Sequence, residues 1–241
     1  MEVRVTDPSG RSVPVAVTMR TPGDDFALAA GLLVSEGVVE AGTIVRVAYC
    51  DDVARERLFN VVTVKTSAPA VIGEARRVAP TSACGICGAA SLDEVQERCG
   101  PPADGPVVEG RALIAMPAVM RAGQRIFERT GGLHAAALFD PAGGLMRVSE
   151  DIGRHNAVDK IVGAAALAGE LPLAGRVLVV SGRVGFEIVQ KAAVAGIAVI
   201  ASVSAPSSLA ADAAERFGIT LVGFLRDDGY NVYTAPERIR S

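Results

Sequence analysis

The sequence predicts an α/β fold, in which a C-terminal parallel sheet follows a small β-rich unit at the N-terminus. Two observations lead to this prediction. The last third of the chain alternates short aliphatic runs with helical stretches, and the composition is apolar but poor in aromatic residues. Hydrophobic residues make up 50% of the 241 residues and aromatic residues 4%, with no Trp. A core of Val, Ala, Leu and Ile is typical of parallel strands covered by Ala-rich helices.

The last third carries the clearest pattern. We expect buried strands at residues 176–181, 197–202 and 219–225, and helices at residues 185–195 and 207–217. Crossovers in such a strand–helix–strand series are right-handed and produce a parallel sheet. The sequence therefore predicts three adjacent parallel strands here.

The middle of the chain predicts a hairpin followed by a helix. Strands at 134–140 and 145–149 flank a Pro-Ala-Gly-Gly turn, and the helix covers residues 154–168. Pro117 is expected in the first turn of an earlier helix that reaches residue 129, because a proline at that position loses no helical hydrogen bond.

The N-terminal part predicts four strands and a helix. The strands are expected at 3–6, 12–19, 43–50 and 58–66, the first two around an Asp-Pro-Ser-Gly turn. Asp24 is expected to cap the helix, which runs to Ser35.

A Gly/Pro-rich stretch at residues 100–106 predicts a boundary. It divides the chain into an N-terminal subdomain of residues 1–105, which holds a cysteine loop, and an α/β domain of residues 106–241.

Charge and hydropathy exclude several classes of function. The net charge is −3, so the bulk charge does not attract nucleic acid. No apolar stretch is long enough to span a bilayer, and the charged start of the chain is unlike the apolar core of a secretion signal. The expectation is a soluble cytoplasmic protein that binds neither nucleic acid nor membrane.

Two of the four cysteines form a Cys84-Gly85-Ile86-Cys87-Gly88 loop. In a cytoplasmic chain such a pair indicates redox, metal or sulfur chemistry rather than a disulfide framework. A helix predicted to start near Ser91 would direct its positive end at the loop and lower a thiol pKa. The resulting thiolate could attack a sulfane sulfur and hold it as a persulfide.

The cysteine pair admits two other interpretations. It could be half of a zinc site, although none of Cys50, Cys99, His134 and His155 forms a second ligand pair at the usual spacing. It could also be a dithiol oxidoreductase, although the loop does not lie between the first strand and helix of a thioredoxin-like unit. Cys50 and Cys99 are otherwise expected to be small buried hydrophobic residues.

A second candidate site lies where the three parallel strands end, since ligands bind at the carboxyl ends of strands in such sheets. The segments there are Ser181-Gly182-Arg183, the run 202–208 with Ser202 and Ser204, and Leu225-Arg226-Asp227-Asp228-Gly229. Arg183 and Arg226 could clamp phosphate, helped by the positive end of a following helix. Asp227 or Asp228 could accept hydrogen bonds from a guanine edge. Ordinary turn chemistry also explains each segment alone, but together they favour a nucleotide or phosphate ligand.

A third candidate is the segment 149–160, which places six ionisable side chains at a helix start. A capped and solvated helix end explains its first two acidic residues. It explains His155 and Asn156 less well, so a functional role is slightly favoured. His134, in an apolar strand, is expected to be a hydrogen-bonded core residue rather than a ligand.

Together these motifs resemble the FdhD family, the formate dehydrogenase accessory sulfurtransferases. The resemblance is carried, in order along nearly the whole chain, by Cys84-Gly85-Ile86-Cys87-Gly88, Gly131-Gly132-Leu133-His134-Ala135-Ala136, Glu150-Asp151-Ile152-Gly153-Arg154-His155-Asn156-Ala157-Val158-Asp159-Lys160, Ser181-Gly182-Arg183 and Ser202-Val203-Ser204-Ala205-Pro206. The long central motif is highly specific, whereas the cysteine pair alone would not be.

The resemblance implies a cytidine-deaminase-like α/β/α core and a homodimer. It implies that a cysteine desulfurase loads sulfur onto Cys84, with Cys87 as its neighbour. The sulfur would pass to molybdenum or tungsten in a bis(guanine dinucleotide) cofactor, bound as a substrate, which formate dehydrogenase needs for activity. The guanine dinucleotide segment of the family would fall on residues 224–229, which begin with Phe224 and Leu225.

Deamination is not expected despite the implied fold. A zinc deaminase needs a His-x-Glu and a Pro-Cys-x-x-Cys motif, whereas His134-Ala135-Ala136 has no Glu and the cysteine pair precedes the histidine. The N-terminus is also short before the first strand.

Two rival functions stay open: a chaperone that holds the guanine dinucleotide without sulfur chemistry, and a zinc-stabilised structural protein.

Overall fold

The computed structural model describes residues 1–51, 53–71 and 105–240. In this part of the chain it contains two main sheets, a small two-stranded sheet and six α-helices. The α/β class predicted from the sequence is confirmed.

The N-terminal sheet has four strands in the order β2-β1-β4-β3. The strands are β1 (Glu2–Thr6), β2 (Ser12–Val17), β3 (Ile44–Tyr49) and β4 (Val61–Thr66). β1 pairs antiparallel with β2 and parallel with β4, and β3 pairs antiparallel with β4. Both predicted strand pairs are confirmed, and the alternating Val3 and Val5 point into the core.

Helix α1 (Asp25–Ser35) connects these two strand pairs. Asp24 directly precedes it, but its side chain accepts no capping hydrogen bond, and its backbone is left-handed with φ of 56° rather than extended. The predicted cap is therefore wrong. The buried Asp25 instead pairs with Arg20 at 2.8 Å and accepts from the Tyr49 hydroxyl at 3.0 Å.

The second sheet has six strands in the order β11-β10-β9-β8-β6-β7. They are β6 (His134–Phe139), β7 (Leu145–Asp151), β8 (Val177–Val180), β9 (Val199–Ser202), β10 (Thr220–Arg226) and β11 (Gly229–Thr234). β8, β9 and β10 are parallel, as predicted, whereas β6 runs antiparallel to β8. The start of β6 therefore meets the end of β8. A separate pair joins β5 (Val108–Glu109) to β12 (Ile239–Arg240).

Helices cover both faces of the six-stranded sheet. On one face α4 (Arg154–Ala168), α5 (Phe186–Val194) and α6 (Ser208–Phe217) pack with α1, and on the other lies α2 (Gly110–Gly123). The short α3 (Arg125–Thr130) follows α2 after a single residue. The implied α/β/α layering is therefore confirmed. Among the described helices, none combines the length and the apolar character that crossing a membrane requires.

Pro117 lies in the interior of α2 rather than in its first turn, so the predicted helix start is wrong. The helix begins at Gly110 and ends at Gly123, and a second helix covers the remaining residues. An internal proline removes the backbone hydrogen bond to Leu113, four residues earlier. Its ring instead lines a cleft beside the sheet.

Helices α1 and α4 cross at glycines and bring their backbones into contact. A Cβ on Gly31 would lie 1.8 Å from the carbonyl oxygen of Asp159, and one on Gly163 would lie 1.8 Å from that of Ala27. Only glycine permits so close an approach. One hydrophobic core consequently contains side chains from both sides of the boundary proposed at residues 105–106. The division into two domains stays a prediction, since residues 72–104 lie outside the described part.

Candidate functional site

The loops after β8 and β9 are braced against each other by serine side chains. The Ser202 hydroxyl donates to the Gly182 carbonyl at 2.7 Å and accepts from the Ser204 amide at 3.0 Å. The Ser181 hydroxyl accepts from the Ala135 amide at 2.8 Å, which ties the end of β8 to the start of β6. The structure thus brings these predicted site residues together, and their side chains fix the shape of the sheet edge.

His134 lies directly against the loop after β8. A Cβ on Gly182 would lie 3.0 Å from His134 Nδ1. The absence of a side chain at Gly182 therefore allows the imidazole to pack this close to the loop. Burial, followed by the charges of Arg154 and the exposed Arg183, lowers the pKa of His134 below its ordinary value. The imidazole is therefore neutral at pH 7 and offers one donor and one acceptor.

His155 belongs to the same cluster, in the first turn of α4. Its Nε2 is enclosed and lies 3.7 Å from Glu187 Oε2, too far for a hydrogen bond. Burial, Arg154 and Lys191 lower the pKa of His155 from 6.5 to about 4, against the opposing charge of Glu36. The contact with Glu187 is consequently not an ion pair at neutral pH.

This depressed pKa predicts a fold that loses stability in acid. The unfolded chain protonates His155 near pH 6.5 and the folded chain only near pH 4. The contribution of neutral His155 to stability is therefore complete above the first value and is lost as the pH falls towards the second. We expect the free energy of unfolding to drop by about 2 kcal/mol over this range, a value reduced for partial exposure of the ring.

Chemical denaturation at a series of pH values measures this effect. His155→Gln should remove this part of the pH dependence, because glutamine does not titrate. Equal slopes of stability against pH in the variant and the parent would contradict it.

Three polar side chains of the 150–160 segment, those of Asp151, Asn156 and Lys160, bind the chain that joins β2 to α1. Asp151 accepts from the Thr21 amide at 3.1 Å and pairs with Lys160 Nζ at 2.9 Å. Asn156 donates to the Met19 carbonyl at 2.7 Å, and Lys160 donates to the Thr21 carbonyl at 3.1 Å. These contacts are structural, which differs from the functional role that the sequence slightly favoured for Asn156.

The 224–229 segment lies in a hairpin between β10 and β11. Its exposed members are Phe224, Arg226, Asp227 and Asp228, whereas Leu225 is buried and Gly229 begins β11. The Phe224 amide donates to the Ser204 carbonyl at 3.1 Å, and Phe224 has a positive φ of 51°. This bulge ties the hairpin to the loop after β9, and the guanine role of the segment stays a prediction.

A cleft of about 580 Å³ opens beside His134. It lies between the end of α2, helix α3, the Gly-Gly turn before β6 and the loops after β8 and β9. Its lining is mainly apolar, and Arg121, Gln124, Ser181 and His134 supply polar groups. A largely apolar cleft with a few converging polar groups is typical of small-molecule sites.

Comparison with known proteins covers nearly the whole chain. The model of the FdhD/NarQ family matches residues 10–240. The chain belongs to this family. It is 54% identical over 235 residues to the sulfur carrier protein FdhD of Streptomyces avermitilis, a match that covers 94% of this chain and 83% of that protein. It is 47% identical over 250 residues to the protein of the same name from Mycobacterium tuberculosis, with 99% and 89% covered.

A solved structure is similar over the same extent. The crystal structure of a formate dehydrogenase accessory protein from Desulfotalea psychrophila has a TM-score of 0.76 and 26% identity, covering 99% of this chain and 89% of that one. The resemblance to the FdhD family inferred from the motifs is confirmed.

The sequence analysis of this FdhD/NarQ chain included His155 among the site residues but did not include its neighbours His134 and Arg154. His134 was expected in the core, yet it stands at the sheet edge because β6 is antiparallel to β8. Arg154 lies close enough to both histidines for its charge to lower the pKa of each, and its enclosed Nε has no hydrogen-bond partner among the described residues. The signal for both was their position in specific motifs of the FdhD/NarQ family.

The predicted sulfur-binding residues Cys84 and Cys87 lie outside the described residues, as do Cys99 and the helix expected near Ser91. Cys50 is described, half-buried at the end of β3, and is a free thiol. Within residues 1–51, 53–71 and 105–240, no three His, Cys, Asp or Glu side chains gather as metal ligands. The persulfide, zinc and dithiol interpretations of this FdhD/NarQ loop all stay predictions.

Proposed function

We propose that this chain is a sulfur carrier for formate dehydrogenase. It would accept sulfur from a cysteine desulfurase on the Cys84/Cys87 loop and deliver it to molybdenum or tungsten in a bis(guanine dinucleotide) cofactor. The observation that carries the proposal is the match, over at least 94% of the chain, to relatives named sulfur carrier protein FdhD. The similar formate dehydrogenase accessory protein supports the choice of client. The chain would act in the cytoplasm as a homodimer.

Loading is a thiol exchange and makes the chain a sulfurtransferase. The Cys84 thiolate attacks the terminal sulfur of a persulfide on the desulfurase, and a new S–S bond forms as the desulfurase cysteine leaves as a thiolate. The exchange consumes neither an oxidant nor a reductant. Cys87 would assist this step or resolve the persulfide.

Delivery transfers the terminal sulfur to the metal of the bound substrate. The S–S bond of the persulfide breaks, and Cys84 regains its thiolate. The transferred sulfur gains two electrons, which a reduced metal centre supplies as its own oxidation state rises by two. The chain has only to bind the cofactor so that the metal and the persulfide meet.

The described site supports the binding of an anionic cofactor. Arg154 and Arg183 lie close enough to His134 to lower its pKa. Positively charged guanidinium groups form strong hydrogen bonds to phosphate, and the neutral imidazole adds a further donor. Gly182 lets the His134 imidazole pack closely against the loop after β8. The two guanidinium groups and the imidazole therefore lie at one sheet edge, which suits the diphosphate of a dinucleotide.

A cofactor chaperone without sulfur chemistry is the second candidate. It is supported by the described part of the site, which offers charged and hydrogen-bonding groups for binding a ligand. Under this alternative, Arg226→Ala or Asp227→Ala would impair formate dehydrogenase, and both loop cysteines would be dispensable.

Intact-protein mass spectrometry after incubation with a cysteine desulfurase and cysteine tests the proposal. We expect one added sulfur atom on the peptide that contains Cys84 and Cys87, and its removal by a thiol reductant. Unmodified thiols in a protein that still binds a guanine nucleotide would contradict the carrier function and favour the chaperone.

A further inference from the structure

The outer face of the four-stranded N-terminal sheet has no role in any of the assignments above. Val3 and Val5 of β1 and Val62 and Val64 of β4 point to the inner face, where they pack in one core with α1. The residues between them point the other way, because successive side chains of a strand alternate between the two faces. The polar members of this outer face on β1, β3 and β4 are Glu2, Arg4, Thr6, Arg46, Thr63 and Lys65.

This outer face is positively charged, although the whole chain has a net charge of −3. Its cations on the strands are Arg4, Arg46 and Lys65, and its one acid is Glu2. Glu2 already pairs with Arg4 at 2.5 Å and with Arg57. Arg46 and Lys65 are exposed, and no residue of the described part of the chain forms an ion pair with either of them. Two positive charges on this face therefore have only solvent as a partner.

Arg46 and Lys65 repel each other across the sheet. They are directly opposite residues of the antiparallel pair formed by β3 and β4. The Cβ atoms of such residues lie about 5 Å apart, and like charges at these positions destabilise the pairing of the strands. An opposite charge at either position would relieve this cost. An anionic partner that lies across both side chains relieves it as well, so the arrangement favours a bound anion over an empty face.

The surroundings of this charged pair suit a protein better than a nucleic acid or a membrane. Val17 and Val45 are 65% and 63% exposed on the two edge strands of the same sheet, β2 and β3. Apolar side chains mixed with arginine are typical of protein interfaces. Tyr49 is the only aromatic residue of the four strands, and it lies opposite Val62 on the inner face. The outer face of these strands therefore has no ring on which a base could stack, and a sheet lacks the long apolar stripe of a helix that lies in a bilayer surface.

The position of this face selects the sulfur donor among the proteins that the proposed function requires. Helix α1 packs on the inner face and crosses α4, so these two helices separate the N-terminal sheet from the six-stranded sheet. His134 and Arg183, which were assigned to cofactor binding, lie at the edge of the six-stranded sheet. A protein on the outer face therefore does not compete with the cofactor. Lys65 lies on β4, the strand after which the chain continues to the segment with the two loop cysteines.

We propose that the outer face of the N-terminal sheet, centred on Arg46 and Lys65, docks an acidic surface of the cysteine desulfurase. The inference rests on the proposed function, which requires a sulfur-donating protein. The two cations attract carboxylates of the donor during the encounter and form charge-assisted hydrogen bonds with them in the complex. Their mutual repulsion is relieved at the same time. Val17 and Val45 lose exposed apolar surface at the rim of the contact.

Biolayer interferometry of the full chain against the desulfurase of the same organism, without cysteine, measures docking separately from sulfur transfer. Lys65→Glu leaves one charge of each sign at the pair, and Lys65→Glu with Arg46→Glu leaves two negative charges. We expect Kd to rise about threefold for the single variant and about tenfold for the double variant. Raising the NaCl concentration from about 0.05 M to about 0.5 M should weaken binding of the parent chain and reduce these differences. An unchanged Kd in a folded double variant would overturn the proposal.

Thermal unfolding of the same variants separates docking from folding. Lys65→Glu should raise Tm by about 1–3 °C, because it replaces a like-charged pair by an oppositely charged one. The double variant again has like charges and should have the Tm of the parent. An affinity that falls while Tm rises does not result from misfolding. An affinity that instead follows Tm through the series would overturn the proposal.

A second double variant controls for the net charge of the chain. Arg111→Glu with Arg147→Glu changes the net charge by the same amount at exposed positions of α2 and β7, and should change Kd by less than about twofold. Equal weakening by this control would overturn the assigned surface. Binding of a DNA duplex or of phosphatidylserine vesicles that is tighter than binding of the desulfurase, and is lost in the Arg46 and Lys65 double variant, would overturn the choice of partner.

Sulfur loading, measured in parallel, separates this inference from the carrier function. At saturating concentration the Arg46 and Lys65 double variant should load sulfur as fast as the parent, because neither side chain takes part in the chemistry. Loading of a chain whose Kd is insensitive to these variants would overturn the docking surface alone. Docking on this face without loading would overturn the carrier function and leave the surface assigned. A parent chain that neither docks nor loads would overturn both.

Discussion

Cys84→Ala is expected to abolish formate dehydrogenase maturation in a cell that lacks its own copy of the carrier. Alanine has no sulfur with which to form the persulfide, so no sulfur reaches the cofactor. Formate dehydrogenase activity should fall by about 100-fold or more, to the background of cells without the carrier. The measurement is enzyme activity in lysates, normalised to the amount of carrier protein.

Two further cysteine variants make this result specific. Cys50→Ala replaces a half-buried thiol outside the loop and should leave maturation intact. Cys87→Ala shows whether the second loop thiol is needed for transfer. Full activity of Cys84→Ala would remove Cys84 from the carrier role, and full activity of both loop variants would favour the chaperone.

Lys160→Met is expected to cost about 3–5 kcal/mol of stability, because it leaves the Asp151 carboxylate buried without its cation. The Lys160 and Asp151 side chains are 2% and 0% exposed, and their charged atoms lie 2.9 Å apart. Lys160 also donates to the carbonyls of Thr21 and Glu150, which would lose these bonds. Urea unfolding followed by circular dichroism measures the loss.

Two variants control for this result. Lys65→Met makes the same change at an exposed position of β4 and should alter stability by less than about 0.5 kcal/mol. Adding Asp151→Asn to Lys160→Met should restore part of the loss, since no buried charge is then left alone. A Lys160→Met protein as stable as its parent would show that the pair contributes nothing to the fold.

Local patterns in the sequence were sufficient for most of the strands and helices. The helix at residues 154–168 has the predicted bounds, and β8, β9 and β10 are parallel at the predicted places. The period of apolar residues and the turn signals act over short distances, so a single sequence reveals them. Pro117 and Asp24 show the limit of local patterns. Whether a helix continues through a proline, and whether the residue before a helix is left-handed, depends on packing with distant parts of the chain.

The candidate site could be predicted only in part, because its geometry depends on contacts distant in sequence. His134 and Gly182 meet only since β6 is antiparallel to β8. Asn156 binds the Met19 carbonyl, a partner 137 positions away. No local pattern predicts such pairs, whereas the strand-end serines were predicted from the general behaviour of parallel sheets.

A genetic screen would wrongly assign a functional role to residues of the 150–160 segment that contact residues 18–21. Replacing Asn156 or Lys160 would score as loss of formate dehydrogenase activity, although both side chains bind the protein's own backbone. The cause would be a lower amount of folded carrier in the cell, since a destabilised chain is degraded. Complementation scores for this segment therefore acquire meaning only beside immunoblots of the steady-state level of each variant.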